Sequence, residues 1–430
     1  MFLIDFLDTF TSVWAIRAMI ASSLVGLMCG ILGCFIVLRN MSLIGDALSH
    51  AVLPGIFFAF LVVGYSTIGF FIGSTIAGLV TALAISWIQQ NVPTKNDAAI
   101  GIIFTAMFSI GVIGISWISR KDGVHLDLDH FLFGNVLGIS NQDIYLTLGV
   151  AIYTILCTIL FYRYLFITTF QPTIAQTMGI SPKLIHYFLM LLLSFAIVAS
   201  LRTVGVILVV AMLITPAATA LLFSDRLQKV IVLSAFIGLL SALLGFVVSV
   251  AFDTTPGPAM TLVATFIYFT AVLLSPSKGL LFKMNQKRIE KKRIIREDIL
   301  RQVIKKPLNV GMSVGEISVN LKLPLKIVKS FANKMSKSSL LTTNGQNVIL
   351  SDAGVLKAEQ LVRAHRLWET YQVRQMGLDS NQIHDEADQL EHFLSEELID
   401  EIDKQLGYPV KDPHDSPIPK GLSKSSTPSQ

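Results

Sequence analysis

Charged residues are scarce in this sequence, and the scarcity is confined to one part of it. Only 15% of the 430 residues are Asp, Glu, Lys or Arg, against about 25% in soluble globular proteins. Glutamate is missing before Glu290, and residues 1–275 hold only 10 basic residues and 10 Asp. This excludes an ordinary soluble protein and indicates a membrane protein. Residues 276–430 hold the other 24 basic and 19 acidic residues, so two physically different parts join near residue 280.

Three further absences narrow the chemistry. The three cysteines, Cys29, Cys34 and Cys157, lie in apolar runs, which excludes a disulfide framework and a thiolate metal site. No Gly-x-x-x-x-Gly-Lys-Ser/Thr motif occurs, so we expect no nucleotide site in this chain. Residues 1–10 contain Asp5 and Asp8 but no basic residue, so we expect no cleavable signal peptide.

Nine apolar stretches before residue 276 are long enough to cross a bilayer, since about 20 residues span ~30 Å of hydrocarbon. The polar residues in the second stretch, and Arg202 between the sixth and seventh, leave eight spans possible. Basic loop residues favour the cytoplasmic side, which places the N-terminus outside and the residues after 278 in the cytosol. We predict an all-α, multi-pass protein of the cell membrane, with spans near 13–38, 43–63, 67–90, 98–119, 142–162, 185–201, 203–223, 228–252 and 257–275.

The second stretch contains two ionisable side chains. Asp46 and His50 are four residues apart, so a helix places them on one face of one turn. Ionisable residues within a bilayer are costly and commonly line a polar pathway. One carboxylate and one imidazole suit a transient site for a divalent first-row cation. The alternative is an Asp–His hydrogen bond that only fixes helix packing.

Two motifs resemble those of a known family. The first is Asp46-Ala-Leu-Ser-His50-Ala-Val-Leu-Pro54-Gly55, and the second is Gly205-Val-Ile-Leu-Val-Val-Ala-Met-Leu-Ile-Thr-Pro216-Ala-Ala-Thr219. Over about residues 10–278 the chain is similar to the membrane permeases of manganese, zinc and iron ATP-binding-cassette importers. The resemblance implies that Asp46 and His50 line or gate a metal path. It also implies a cytosolic ATPase subunit, an extracellular metal-binding protein and a second permease, either a copy or a paralogue, as partners.

Residues 171–183 form a short, semi-polar loop that the charge pattern places in the cytoplasm. Composition alone fits a short helix bounded by prolines within a plain connector. The resemblance implies instead that this is the coupling helix that docks into the ATPase. The residues assigned to that contact are Pro172, Thr173, Ala175, Gly179 and Pro182.

A basic segment follows the last span. Residues 278–306 hold 11 basic and 3 acidic residues, which would attract the anionic lipids of the inner leaflet or begin a nucleic-acid-binding surface. Residues 307–350 then have the pattern of a winged helix-turn-helix, with a turn near Pro324 and two short strands around Asn344. The basic second helix offers possible DNA contacts, although the same shape can serve packing alone: Lys326, Lys329, Lys334 and Lys337.

Histidines and carboxylates recur at helical spacing between residues 365 and 392. His365 and Glu369 are four residues apart. A second helix would place four more such residues along one stripe: His384, Asp388, Glu391 and His392. Together these side chains could hold one or two divalent ions with oxygen-rich ligation. The alternative is a solvated, charged helix face.

Residues 290–420 resemble the iron- and manganese-dependent repressors of the DtxR family. The resemblance implies one metal centre at Asp388, Glu391 and His392, and another at His365, Glu369 and His384. It also implies a ligand or two from the first helix, where Asp298 stands at an expected position. Arg301 departs from the family pattern, because some manganese sensors have a carboxylate there. Asp388 stands where iron sensors have Cys, which favours a hard ion such as Mn²⁺.

The sequence therefore predicts the permease subunit of an ATP-driven importer of Mn²⁺, with Fe²⁺ or Zn²⁺ possible, which is not itself an enzyme. A membrane-tethered, metal-dependent DNA-binding regulator and an ATP-independent secondary transporter remain open alternatives. The predicted domains are a permease (1–278), a basic linker with the first helix (279–306), a winged helix-turn-helix (307–350), a helical metal-binding and dimerisation region (351–410), and a disordered tail (411–430).

Overall fold

The computed structural model describes residues 12–120, 138–276, 278–307, 309–344, 347–378, 392 and 394–420. The chain divides into two compact units, Met1–Lys283 and Met284–Gln430. Each unit has a hydrophobic core of its own. The division falls within one helix, Leu280–Val303.

The first unit is helical throughout its described part. Its helices are α1 Val13–Leu38, α2 Ile44–Ala51, α3 Leu53–Val63, α4 Thr67–Asn91, α5 Asn96–Ile118, α6 Asn141–Leu160, α7 Tyr162–Phe170, α8 Pro172–Thr177, α9 Pro182–Phe223, α10 Leu227–Ala251 and α11 Pro256–Leu274. Nine segments within these ranges are long and apolar enough to cross a membrane. The nine predicted spans are therefore confirmed.

Two of these spans have irregular geometry with clear causes. The second span consists of α2 and α3, which meet at Val52, and Pro54 stands in the first turn of α3, where its missing N–H removes no helical hydrogen bond. Helix α9 contains both the sixth and the seventh span. It is broken at Gly205, whose φ of 78° favours glycine over residues with a Cβ.

Helix α1 is central to the first unit, and glycines let its neighbours approach it closely. A Cβ added to Gly26 would lie 2.5 Å from the carbonyl oxygen of Gly238 on α10. A Cβ added to Gly33 would overlap the carbonyl oxygen of Leu213 on α9. Close backbone contact of this kind replaces the hydrophobic driving force, which is weak between helices in lipid.

The second unit begins in α12 (Leu280–Val303), whose end buries Ile299, Leu300 and Val303. The elements that follow are β1 Met312–Ser313, α13 Val314–Asn320, α14 Leu325–Lys337, β2 Leu341–Asn344, β3 Asn347–Leu350, α15 Asp352–Met376 and α16 Glu396–Gln405. The three strands pair antiparallel in the order β1-β3-β2. The predicted winged helix-turn-helix is confirmed.

A capping box starts the first helix of this motif. Ser313 accepts a hydrogen bond from the backbone N–H of Glu316, and the Glu316 carboxylate accepts one from the backbone N–H of Ser313. The hydrogen bond from the Ser313 backbone, with the nearby Lys306 ammonium, lowers the pKa of Glu316 below its ordinary value. Residues that are neighbours in the chain thereby fix the start of α13.

Ion pairs tie α15 to the elements after it. Arg363 hydrogen-bonds Asp400 at 2.8 Å and Asp403 at 2.6 Å. Burial opposes ionisation of Arg363, but the two carboxylates outweigh it and raise its pKa. Arg366 pairs with Asp412, and Lys411 forms a β-bridge with Pro417. Residues 411–420 thus have defined contacts, although they belong to the segment 411–430 predicted to be disordered. The predicted domain boundaries remain predictions.

Candidate metal sites

The membrane pair lies in the second span. Helix α2 packs against α5 and α9 and presents Asp46 and His50 four residues apart. The Nε2 atom of His50 lies 3.7 Å from Oδ1 of Asp46, with side chains 20% and 48% exposed. This separation is too long for a hydrogen bond. It suits two ligands that share a cation, with the carboxylate on the open side.

Two phenylalanines of α5 surround the imidazole. The ring of His50 lies edge-on to Phe108, with ring centroids 5.4 Å apart, and tilted against Phe104 at 5.6 Å. These rings restrict the orientation of His50 and leave the Asp46 side more open. Sequence reasoning missed them because, in an apolar helix, phenylalanines beside a site look like phenylalanines that face lipid.

The predicted coupling segment is a short helix with exposed apolar side chains. Pro172, Thr173 and Gly179 are exposed, Ala175 is buried, and Pro182 is half-buried at the start of α9. Ile174 and Met178 are 47% and 51% exposed. These two side chains give the predicted coupling segment an exposed apolar surface.

Arg39, directly after α1, contacts α7, the helix that precedes the predicted coupling segment. Its guanidinium donates to Thr169 Oγ1 at 3.1 Å and Thr168 Oγ1 at 3.0 Å, both near the end of α7. The sequence contained no signal for this contact, which joins residues about 130 positions apart. It fixes α7 directly before the predicted coupling helix.

The basic face of α14 is open to solvent. Lys326, Lys329, Lys334 and Lys337 are all exposed, while Val328, Ala332 and Met335 are buried on the opposite face. Helix α14 therefore packs through one side and presents four positive charges on the other, which is the arrangement that nucleic-acid contact requires.

In the second unit, His392 lies between two carboxylates of α12. Its Nδ1 atom is 2.7 Å from Oε2 of Glu297, and its Nε2 atom is 3.4 Å from Oδ1 of Asp298. Arg293 donates to the His392 carbonyl oxygen at 3.0 Å. The sequence predicted Asp298 but missed Glu297, which adjoins it in the chain.

The contacts of His392 fit a metal ligand. Because a carboxylate only accepts, Nδ1 donates its hydrogen to Glu297. The Nε2 atom then directs its lone pair towards the carboxylate of Asp298, which is also an acceptor. A cation fits between the Nε2 lone pair and this carboxylate. A carboxylate behind a ligating imidazole is the usual outer support of a protein metal site.

His365 and Glu369 form a second pair on α15. Nε2 of His365 lies 3.1 Å from Oε1 of Glu369, and the Glu369 side chain is only 2% exposed. Nη1 of Arg301 lies 3.4 Å from Nδ1 of His365. The pair borders a cavity of about 670 Å³, whose lining includes Arg301, Lys305, His365, Arg366, Glu369 and His414.

The other predicted ligands, His384, Asp388 and Glu391, lie outside the described residues. Within the described ranges, no group of three or more His, Cys, Asp or Glu side chains has an arrangement that could hold a metal ion. The structure thus brings His392 to Asp298 and His365 to Glu369, and the completeness of either predicted centre remains a prediction.

Comparison with known proteins assigns the membrane part. A family model described as "ABC 3 transport family" matches residues 13–275, which is more than half of the chain. The chain belongs to the ABC 3 transport family. The Asp46–His50 pair and the predicted coupling helix both lie within the matched residues.

Two relatives and one solved structure are similar to this chain over about 61–64% of its length. The manganese transport system membrane protein MntC of Halalkalibacterium halodurans is 49% identical over 265 residues, covering 62% of this chain and 88% of that protein. The manganese import system permease protein ScaB of Streptococcus parasanguinis is 40% identical over 262 residues, covering 61% and 91%. The solved structure of PsaBC from Streptococcus pneumoniae in complex with Fab has 37% identity and a TM-score of 0.58, covering 64% of this chain and 97% of that one.

A different family model matches the second unit. It is described as "Iron dependent repressor, metal binding and dimerisation domain" and covers residues 351–420. The chain therefore combines a permease domain of the ABC 3 transport family with a C-terminal domain of the iron-dependent repressor type. The two resemblances noted in the sequence are confirmed.

Proposed function

We propose that this chain is the permease subunit of an ATP-driven importer of a divalent transition metal, and that its C-terminal unit is a metal-responsive regulatory domain in the cytosol. Mn²⁺ is the first candidate for the cargo, with Fe²⁺ and Zn²⁺ next. The single observation that carries the transport assignment is the facing Asp46–His50 pair within a membrane span. The manganese transport named in its relatives supports the choice of metal.

We propose an ATPase partner because the sequence has no nucleotide-binding motif and because the loop around α8 exposes apolar side chains. The sequence contains no phosphate-binding loop motif, so energy must come from another subunit. Ile174 and Met178, exposed on the loop around α8, provide an apolar surface for such a subunit. An extracellular metal-binding protein and a second permease copy or paralogue complete the proposed assembly, and anionic lipids are proposed to contact the basic segment 278–306.

The ATP requirement can be tested by reconstitution. The full chain, purified with the ATPase that accompanies it, is placed in liposomes together with the external binding protein, and ⁵⁴Mn uptake is followed. We expect uptake with ATP and only background with a non-hydrolysable analogue. Equal uptake without the ATPase would contradict the proposal and support secondary transport.

A variant of Ile174 and Met178 tests the proposed contact with the ATPase directly. Replacing Ile174 and Met178 by alanine removes exposed apolar area without touching the buried Ala175, so the ATPase should no longer co-purify. The matched control is Phe252→Ala, which removes a side chain that is 74% exposed at the far end of α10. The control should retain the ATPase.

DNA binding is a second candidate activity for the C-terminal unit, favoured by the four exposed lysines of α14. We expect the full chain in nanodiscs with Mn²⁺ to bind DNA with an affinity that falls steeply with salt. Changing Lys326, Lys329, Lys334 and Lys337 to Gln should reduce the slope of log K against log salt by about 3 to 4, at about 0.9 per phosphate contact.

The control for this experiment removes the same charge elsewhere in the second unit. Lys357, Lys404, Lys411 and Lys420 are also exposed, and their replacement by Gln should leave the slope nearly unchanged. An equal slope for wild type and the α14 variant would show that α14 does not contact DNA.

A further inference from the structure

His392 and His365 of the second unit have opposite hydrogen-bond settings. His392 has a carboxylate, Glu297, against Nδ1 and another, Asp298, in front of Nε2. His365 has a guanidinium, Arg301, against Nδ1 and a carboxylate, Glu369, in front of Nε2. Since a metal binds the lone pair of a neutral imidazole nitrogen, the two settings have different consequences.

At His365 the partners occupy both nitrogens. Arginine is a donor only, so Nδ1 must accept from Arg301 with its lone pair. In the neutral ring Nε2 then bears the hydrogen, which it donates to Glu369 at 3.1 Å. No nitrogen lone pair is left for a metal, and His365 with Glu369 does not fit the metal centre that the family resemblance implies.

Charge leads to the same conclusion. The Glu369 side chain is 2% exposed, and a buried carboxylate requires a compensating cation. Arg301, directly behind His365, provides a permanent positive charge at this place. A divalent ion would meet this guanidinium across the imidazole and be repelled by it.

We propose that Arg301 takes the place of the second metal ion, so that, of the two described histidine–carboxylate pairs, His392 with Asp298 binds a divalent cation and His365 with Glu369 does not. This rests on the metal-responsive role proposed above. The Arg301–His365–Glu369 cluster joins α12 to α15 at every metal concentration. Of these two described contacts of α12, the one with His392 then depends on the ion and the one with His365 does not, so the two pairs do not bind metal cooperatively.

Counting ions tests the proposal without any transport or ATP. Mn²⁺ bound per purified full-length chain is measured by equilibrium dialysis with elemental analysis, and differences between variants cancel any ion held in the membrane domain. We expect His392→Ala to lose one equivalent and both His365→Gln and Glu369→Gln to lose none. Loss of an equivalent in either α15 variant, with an unchanged thermal unfolding profile, would overturn the proposal.

Reversing the charge at position 301 provides the complementary arm. Arg301→Glu should gain one equivalent of Mn²⁺. Its electron paramagnetic resonance spectrum should show the exchange broadening of two neighbouring Mn²⁺ ions. Lys305→Glu makes the same change of charge four residues later, just beyond the end of α12, on an exposed side chain of the same cavity, and should gain none. If Arg301→Glu does not fold, Arg301→Gln serves in its place. A folded variant at position 301 that gains no ion would refute the role of Arg301.

The outcomes also separate this inference from the proposed regulatory function. If His392→Ala loses no Mn²⁺, the metal-responsive role fails, whatever Arg301 does. If His392→Ala loses one equivalent and His365→Gln loses another, the regulatory role stands and the proposed role of Arg301 is wrong.

Discussion

Uptake of Mn²⁺ should fall by more than about 100-fold when Asp46 and His50 are both replaced by alanine. The pair provides the facing carboxylate and imidazole of the second span, 3.7 Å apart. Removing partners that merely support a metal ligand already costs about 10–100-fold in affinity or activity, and this variant removes the ligands themselves. The measurement is the initial rate of ⁵⁴Mn uptake by cells that express equal amounts of the full chain.

The controls separate loss of the path from loss of the fold. Asp97→Ala removes an exposed carboxylate from the first turn of α5 and should leave uptake unchanged. Assembly of the double variant is checked by size-exclusion chromatography with its ATPase. Undiminished uptake in an intact double variant would reject the proposed metal path. It would favour the alternative that Asp46 and His50 only fix helix packing.

A single methyl group at Gly33 should destabilise the membrane domain severely. The Cβ of Gly33→Ala would overlap the backbone oxygen of Leu213, and neither atom belongs to a flexible side chain that could move away. Helices α1 and α9 must therefore separate. Ordinary overpacking of a core costs about 1–3 kcal/mol, and we expect at least the upper end of that range. The readout is the unfolding midpoint of the purified chain in detergent, together with its folded yield.

Gly101 provides a matched control for this substitution. It also lies in a membrane helix, α5, but a Cβ there meets nothing within 4 Å. Gly101→Ala should be neutral or slightly stabilising, because alanine is the better helix former. If Gly33→Ala were as stable as Gly101→Ala, the close packing of α1 on α9 would be incorrect.

The sequence predicted well those features that depend on local pattern. Span positions, for example, follow from runs of apolar residues. The pairing of Asp46 with His50, and of His365 with Glu369, follows from a separation of four residues on a helix. In each case the relevant residues are neighbours in the chain, so their geometry is set by helical periodicity.

The sequence could not predict the contacts between distant residues. Glu297 adjoins the expected ligand Asp298, yet nothing in the pattern showed that it reaches His392, 95 positions away. Phe104 and Phe108 could equally have faced lipid, and Arg39 could have been only a topological charge. Arg301 was visible as a departure from the family pattern, but its contact with His365 was not.

Local chemistry in the chain alone was thus sufficient to determine a multi-pass helical domain followed by a charged winged-helix domain, together with the residue types that could hold a cation. The tertiary structure decided what each of those residues does. The reason is that an imidazole binds a metal or is prevented from doing so by whatever contacts its other nitrogen. For His392 that partner is a carboxylate and for His365 it is a guanidinium, and both partners come from a helix more than 60 residues away in the sequence.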